Sequence, residues 1–479
     1  MYIGIDLGTS GVKALLIAED QSLVATANAS LEVSRPAPGW SEQAPADWIS
    51  ATTQALKRLA ASNDLSGVKG IGLSGQMHGA TLLDASDAVL RPCMLWNDTR
   101  SHLEAAKLDA DPRFRAKTGN IVFPGFTAPK LVWARNNEPD TFKKVAKVLL
   151  PKDYLRLWLT GEYVSDMSDA SGTAWLDPSK RNWSEALLAA TDLGLDHMPR
   201  LVEGSATSGG LRPQIASEFG LPAGTPVAGG AGDNAASAVG VGVSKPGEAF
   251  LSLGTSGVLF SASGGYAPDP ETALHTFCHA LPDTWHQMGV ILSATDSLAW
   301  FAGLTGTTPA ALTESLGSLQ APGRTMFLPY LGGERTPYND ARIRGSFVGL
   351  EHATDREAAT RAVLEGVAFA FRDSLEAMRN TGGAPSQLTA VGGGSRSDYW
   401  LNVIATVLNL PIAVPKDGDF GAAFGAARLG MMAAGHVGPE TLAPPEIQRV
   451  VDPTPALFDH FQSAYDRYRS LYVALKELS

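Results

Sequence analysis

The stretch IDLGTSGVKALL, residues 5–16, decides how the rest of the chain is read. It holds an apolar run, one acid, a Gly-Thr-Ser-Gly turn and a second β-rich run from Val12 to Ile17. Short apolar runs on both sides of a glycine-rich tip predict a hairpin. Its centre, LGTSGV at 7–12, returns at 253–258 inside LSLGTSGVLF, residues 251–260. Ala249 to Leu253 and Val258 to Ser261 flank that second turn as the earlier runs flank the first. The interval is far longer than a solenoid period. It predicts two similar α/β lobes, each opening on a hairpin. GVGVSKPG at 240–247 gathers Gly, Ser and Pro and marks the break between them. The expected division is therefore 1–243 and 244–479.

Elsewhere helix and strand patterns alternate. Trp48, Thr52, Leu56 and Leu59 fall on one face and predict a helix over 47–59. Further helices are expected over 357–378 and 398–408, and in PKDYLRLWLT, stopped by Gly161. Strands are expected at 70–73, 147–150, 388–391 and 411–414. Such alternation is the signature of an α/β fold. With 479 residues, 44% hydrophobic and 18% charged, the chain has apolar material for more than one core. The 38 basic against 49 acidic residues leave a net charge of −11, which argues against nucleic acid as a partner. Two cysteines, Cys93 and Cys278, make no disulfide framework and fit a reducing compartment. No apolar run approaches a membrane span, and no targeting segment is read at Met1-Tyr2-Ile3, so a soluble cytoplasmic protein is expected.

The residues that carry chemistry cluster in the glycine-rich turns. In DLGTSGVK, Gly8 lets a ligand approach the backbone, Thr9 and Ser10 add hydroxyls, and Lys13 adds a cation for a terminal phosphate. Asp6, at the strand end, is placed to hold Mg²⁺ through water. One such turn alone could equally be a plain hairpin with a solvated lysine. The second copy, with Gly254 and Thr255, changes that balance: the pair reads as two halves of one triphosphate clamp. The second copy has Ser252 in place of Asp6 and Leu259 in place of Lys13, so the charged chemistry belongs to the first lobe. AGGAGDNAASAVG, residues 228–240, clears space around Asp233 with small residues. That suits a base taking a proton from a hydroxyl, although an acid at a helix start can also serve merely as a cap. GQMHG places Gln76, Met77 and His78 in a loop after a strand, where His78 can bond sugar hydroxyls. GGGSRS places Gly392, Gly393 and Gly394 between strand and helix, with Ser397 as cap and ligand contact together. His275, Cys278 and His279 lack zinc-like spacing and are read as structural.

In order along the chain, IGIDLGTSGVK, GWSEQ, GQMHG, LWNDTR, FTAPK, GGAGDNAA, SLGTSG, FLPYLGGERTP, GSFVGL, AVLEGVAFA and GGGSRS resemble the FGGY carbohydrate kinases nearly end to end. The resemblance implies two actin-like, ribonuclease-H-like lobes around a cleft. GQMHG with WNDTR, TGNIVFPGFTAPKL and PKDYLRL is most similar to the members that phosphorylate D-xylulose at its 5-hydroxyl. Glycerol kinases carry Arg-Glu where this chain has Met77-His78; gluconate kinases share the Met-His pair. Carried over by motif, Asp233 would be the proton acceptor, and Met77, His78, Asp233 and Asn234 would contact sugar. Asp6, with Asp233, would organise Mg²⁺. Gly8, Thr9, Ser10, Lys13, Gly254 and Thr255 would hold the phosphates of ATP, and Gly392, Gly393, Gly394 and Ser397 would meet adenosine. A homodimer is the family expectation. GDFGAAFGAA, residues 418–427, departs from relatives that often show an acid and a proline there. The alternatives are an FGGY kinase for another pentulose, a polyol or gluconate, or a non-catalytic or chaperone-like ATPase of actin fold. GQMHG together with GDNAA argues against the latter.

Overall fold

Both hairpins form where the repeat places them, but they close differently. The structure is a computed structural model and describes residues 1–416, 420–442 and 444–478; Gly418 and Asp419 of the GDFGAAFGAA stretch lie outside them. Tyr2–Leu7 pairs antiparallel with Gly11–Ile17, with Leu7 opposite Val12 and Asp6 opposite Lys13. Ala249–Leu253 pairs with Gly257–Ser263, with Leu253 opposite Gly257 and Ser252 opposite Val258. The same six residues thus leave four residues in the first turn and three in the second. A register step of one residue turns side chains to the other face. Val12 is buried and Lys13 half-exposed, whereas Val258 is half-exposed and Leu259 buried.

Among the described residues each hairpin lies inside a seven-stranded mixed sheet. In the first, Tyr2–Leu7 pairs in parallel with Gly70–Gly75, which also pairs with Pro226–Ala228 and Ala231–Gly232. In the second, Ala249–Leu253 pairs in parallel with Leu388–Val391, which in turn pairs with Ile412–Pro415. The central strands are buried on both sides, which is why they read as apolar runs instead of alternating ones. Helix Pro45–Ser62 covers the first sheet with Trp48, Thr52, Leu56 and Leu59 buried, as the periodicity predicts. The long helix Arg356–Asn380 and helix Asp398–Leu408 cover the second.

Helix Ala422–Ala433, late in the chain, packs on the first sheet and against helix Asp233–Gly240. Small residues on both sides allow it. A Cβ on Gly72 would lie 1.7 Å from the Ala426 carbonyl oxygen, so helix backbone rests on strand backbone. The predicted strand at 147–150 forms as Lys147–Leu149, but it pairs with Thr81–Leu83 and lies outside both large sheets. It belongs to a helical region, roughly residues 76–206, whose own apolar cluster contains Phe114, Phe126, Leu131 and Trp175.

Candidate active site

Three neighbouring parallel strands of the first sheet end at one edge. Asp6 lies in register with Ser74, and Ser74 with Ala231. Asp6 therefore closes one strand, Gln76–His78 follow the next, and Asp233 follows the third. With strands about 4.8 Å apart, the columns of Asp6 and Asp233 stand roughly 10 Å from each other, flanking the Gln76–His78 loop. Ligands of α/β sheets bind outside such strand ends.

The first turn is knitted to that loop. Gly8 N–H donates to the Gly11 carbonyl at 3.0 Å, which closes the turn. The Thr9 hydroxyl donates to Gln76 Oε1 (3.0 Å) and accepts from the Trp96 indole N–H (3.0 Å). Gln43 donates to the Thr9 carbonyl at 2.7 Å and accepts from Gln76 and from Trp48. Thr9 is thus tied to the Gln76–His78 loop through its side chain. Ser10 is exposed, and Lys13 projects half-exposed from the strand opposite Asp6.

His78 adopts φ +71°, a left-handed conformation that costs a non-glycine residue roughly 1–2 kcal/mol. Its carbonyl accepts from Thr127 Oγ1 (3.1 Å) and Lys130 Nζ (2.9 Å), which hold the strained backbone. Its Nδ1 lies 2.7 Å from the Gly172 carbonyl. A carbonyl only accepts, so Nδ1 carries the proton and Nε2 presents a lone pair. Burial first, then the Lys130 charge, pushes the imidazole down to about 3. The ring is neutral at working pH and can accept a hydrogen bond from a hydroxyl. It stacks on Phe126 at 4.8 Å. Met77 lies beside it, against Gly172 and Gly232. From the second half of the chain, the Arg335 guanidinium sits 4.3 Å over the Phe123 ring, with Nη1 3.5 Å from His275 Nε2.

Asp233 opens helix Asp233–Gly240 and is partly buried. Its Oδ1 accepts from the Asn234 backbone N–H (2.7 Å) and side-chain amide (3.0 Å). Burial raises its pKa above the ordinary 3.8, and the Asn234 bonds oppose the rise only in part. The result is a carboxylate that is a somewhat better base than one in water.

The second turn is anchored by its backbone. Its Gly254 carbonyl accepts from Thr295 N–H (2.9 Å) and Thr295 Oγ1 (2.8 Å), and the Thr255 carbonyl from Ala294 N–H (2.8 Å). Beside it opens a cavity of about 800 Å³ lined by Ser237, Gly392, Gly393, Arg396, Phe420 and Arg449 among others. Gly394 instead packs under the hairpin: a Cβ there would lie 2.9 Å from Leu253 Cβ. Ser397 Oγ accepts from Trp400 N–H at 3.3 Å and caps helix Asp398–Leu408. The structure so brings Gly392 and Gly393 to the cavity, and uses Gly394 and Ser397 to seat it.

The FGGY carbohydrate kinase N-terminal domain matches residues 1–240, and the C-terminal domain of the same kinases matches 249–434. The chain belongs to the FGGY family of carbohydrate kinases. It is a sugar kinase, with ATP as a substrate. A xylulose kinase of Escherichia coli is 51% identical over 91% of this chain and 90% of its own. One of Klebsiella pneumoniae is 47% identical over the whole of both. The crystal structure of a xyloylose kinase from Brucella ovis matches with a TM-score of 0.98 and 64% identity over all of both chains. A gluconate kinase from Lactobacillus acidophilus matches with a TM-score of 0.94 at 25% identity, over 99% of this chain and 97% of its own.

Several residues of this FGGY site escape motif reading. Lys130 and Thr127 sit in FTAPK, yet only the fold aims both at the His78 carbonyl. Lys130 is fully buried, which pushes its pKa down to about 7. Trp96 sits in LWNDTR; a tryptophan 48% exposed with its N–H engaged is the signal it offers. His275 lies in the aromatic cluster beside His78, not with Cys278 in a metal site. Among the described residues no group of three or more His, Cys, Asp or Glu side chains is placed to hold a metal ion, and no helix is long and apolar enough to cross a membrane.

Proposed function

We propose that this FGGY kinase transfers the γ-phosphoryl group of ATP to the 5-hydroxyl of D-xylulose, giving D-xylulose 5-phosphate and ADP. One observation carries the reading. Asp6, Met77-His78 and Asp233 follow three adjacent parallel strands to a single edge, beside a glycine turn tied to the sugar loop. The xylulose kinases among its relatives support the choice of sugar.

His78 Nε2 and the Asn234 amide orient the sugar. Asn234 engages Asp233 Oδ1, and Oδ2 takes the proton of the attacking hydroxyl. Phosphoryl transfer passes through a loose transition state, so the base acts on a proton that is released late. The two turns hold the phosphates, with Lys13 supplying charge at the first. Gly392 and Gly393 face the adenosine end. Asp6 and Asp233 offer hard carboxylate oxygens, the donors Mg²⁺ takes alongside water and phosphate. When bound, that ion neutralises phosphate charge. The reading includes lobes divided at 243/244, a hinge near Val243–Gly247 that closes on sugar, and a cytoplasmic homodimer.

A coupled assay of ADP release across pentuloses, polyols and aldonates tests the function. The expected outcome is highest kcat/KM with D-xylulose. A higher value with gluconate or a polyol would replace the sugar assigned here.

A further inference from the structure

Behind the candidate site lies a charged cluster with no role so far. Lys152, Asp153, Arg156, Asp166 and Asp169 are all fully buried. Lys152 Nζ sits 2.6 Å from Asp153 Oδ1, 2.8 Å from Asp166 Oδ1 and 3.3 Å from Asp169 Oδ2. Three acids face two cations, and burial, ahead of the Lys152 charge that opposes it, raises the Asp169 carboxyl well above its ordinary pKa. Ion clusters this deep are costly to assemble and costlier to break. This one is connected outward, to backbone on both sides of the active site.

Arg156 donates to the carbonyls of Ala228 and Gly229, and to Ser208 Oγ at 2.6 Å. It thereby grips the strand that leads to Asp233. Asp166 Oδ2 caps the short helix Met167–Ala170, accepting from Ser168 N–H at 2.8 Å and from the Ser168 hydroxyl. With its proton spent on Asp166, Ser168 Oγ accepts from Gly232 N–H at 3.2 Å, one residue before Asp233. Four residues after Ser168, the Gly172 carbonyl accepts from His78 Nδ1. The approach there is close: a Cβ on Gly172 would lie 2.3 Å from His78 Cε1 and 3.0 Å from Met77 Cε.

We propose that the segment Asp166–Thr173 is a common mount for both working parts of the site, with Ser168 a positioning residue for Asp233 and Gly172 for His78. The mount fixes the base relative to the sugar-binding imidazole through one rigid piece, held by Lys152. This rests on the kinase reading above. Ser168 should act on the chemical step, because Gly232 precedes the base. Gly172 should act on sugar binding, because it sets the ring and its tautomer.

The test separates these effects. Wild type, Ser168→Ala, Ser168→Thr and Gly172→Ala are assayed with D-xylulose and ATP, and thermal melts are recorded beside them. Removing the Ser168 hydroxyl orphans a buried N–H and should lower kcat about tenfold, with KM for sugar within about twofold. Ser168→Thr should restore most of the loss. Gly172→Ala should raise KM for sugar at least about tenfold with KM for ATP unchanged. Independently of activity, the ¹⁵N imidazole signals of wild-type His78 should show the proton on Nδ1. The inference is overturned by wild-type kcat in Ser168→Ala, by unchanged sugar KM in Gly172→Ala, or by a proton on Nε2. A collapsed melt in Ser168→Ala would make that hydroxyl a fold prop and likewise overturn its positioning role. If wild type fails to phosphorylate D-xylulose, the sugar assignment above falls, and the imidazole signals still decide the mount.

Discussion

The two hairpins share six residues in a row and do different work. In the first, LGTSGV closes a four-residue turn, its Thr9 side chain is tied to Gln76 and Trp96, and its Thr9 carbonyl accepts from Gln43. In the second, the same residues close a three-residue turn, and its carbonyls rest on the start of helix Thr295–Leu304. The first half links its turn by side chains to the Gln76–His78 loop. The second half uses it as a fixed rest, linked by backbone. One step of register also decides which side chain faces the core: Val12 but not Lys13, Leu259 but not Val258. A turn sequence thus specifies that the chain reverses, while its neighbours specify where.

Exchanging side chains across that register step gives the largest expected effect. Leu259→Lys would bury an unpaired cation at a fully buried position and should cost about 3–5 kcal/mol, read as a fall in the denaturant midpoint. Lys13→Leu should leave the midpoint nearly unchanged and raise KM for ATP. Equal midpoints in the two variants would break the comparison. Asp233→Asn should lower turnover at least ~10²-fold with folding intact, and near-normal turnover would remove it as the base. Because its pKa is raised, the acid limb of kcat/KM should lie above the ordinary carboxylate pH, with activity rising as pH passes it.

The equivalent strand positions sharpen the contrast. Asp6→Asn should lower kcat by about tenfold or more, while Ser252→Ala should stay within about twofold. Thr9→Val breaks two side-chain hydrogen bonds and should raise KM for sugar about fivefold. Thr255→Val should affect KM for ATP alone. A sugar effect from Thr255 would mean that both turns reach the sugar loop.

The halves also differ in how they house buried acids, and here the effect is smallest. The first half pairs Asp153 and Asp166 with Lys152. In the second, burial pushes Glu365 up to about 8 against an ordinary 4.5. The folded state then holds a proton that the unfolded state releases. Its contribution to stability is whole below about pH 4.5 and is lost as pH rises toward about 8. Glu365→Gln should flatten the decline of melting temperature over that window; an unchanged slope would place the titration elsewhere.

Much of the site was legible before any fold was known. Asp6 and His78 stand at the ends of short apolar runs that became strands, and Asp233 falls in a small-residue turn at a helix start, where it opens helix Asp233–Gly240. What pattern could not rank was the supporting set. Ser168 and Gly172 sit in a polar stretch with no periodicity, and the motifs FTAPK and FLPYLGGERTP carry Lys130 and Arg335 without showing what they touch. Gly394 and Ser397 belong to a glycine-rich loop whose motif looks uniformly ligand-facing. Gly392 and Gly394 both pack against Leu253, but of the two only Gly392 also lines the cavity, and Ser397 is set apart by its bond to the Trp400 N–H.

The amino-acid order by itself determined the two hairpins, the helices with their buried faces and the placing of Asp6 and His78 at first-sheet strand ends, because these depend on neighbours a few residues apart. The tertiary structure alone decided the register of the second turn, the seat of helix Ala422–Ala433 on the first sheet and the joining of Gly172 to His78. Those depend on backbone surfaces brought together from distant parts of the chain. A glycine at which a Cβ would lie 2.3 Å from its neighbour looks, in a string of letters, like any other glycine.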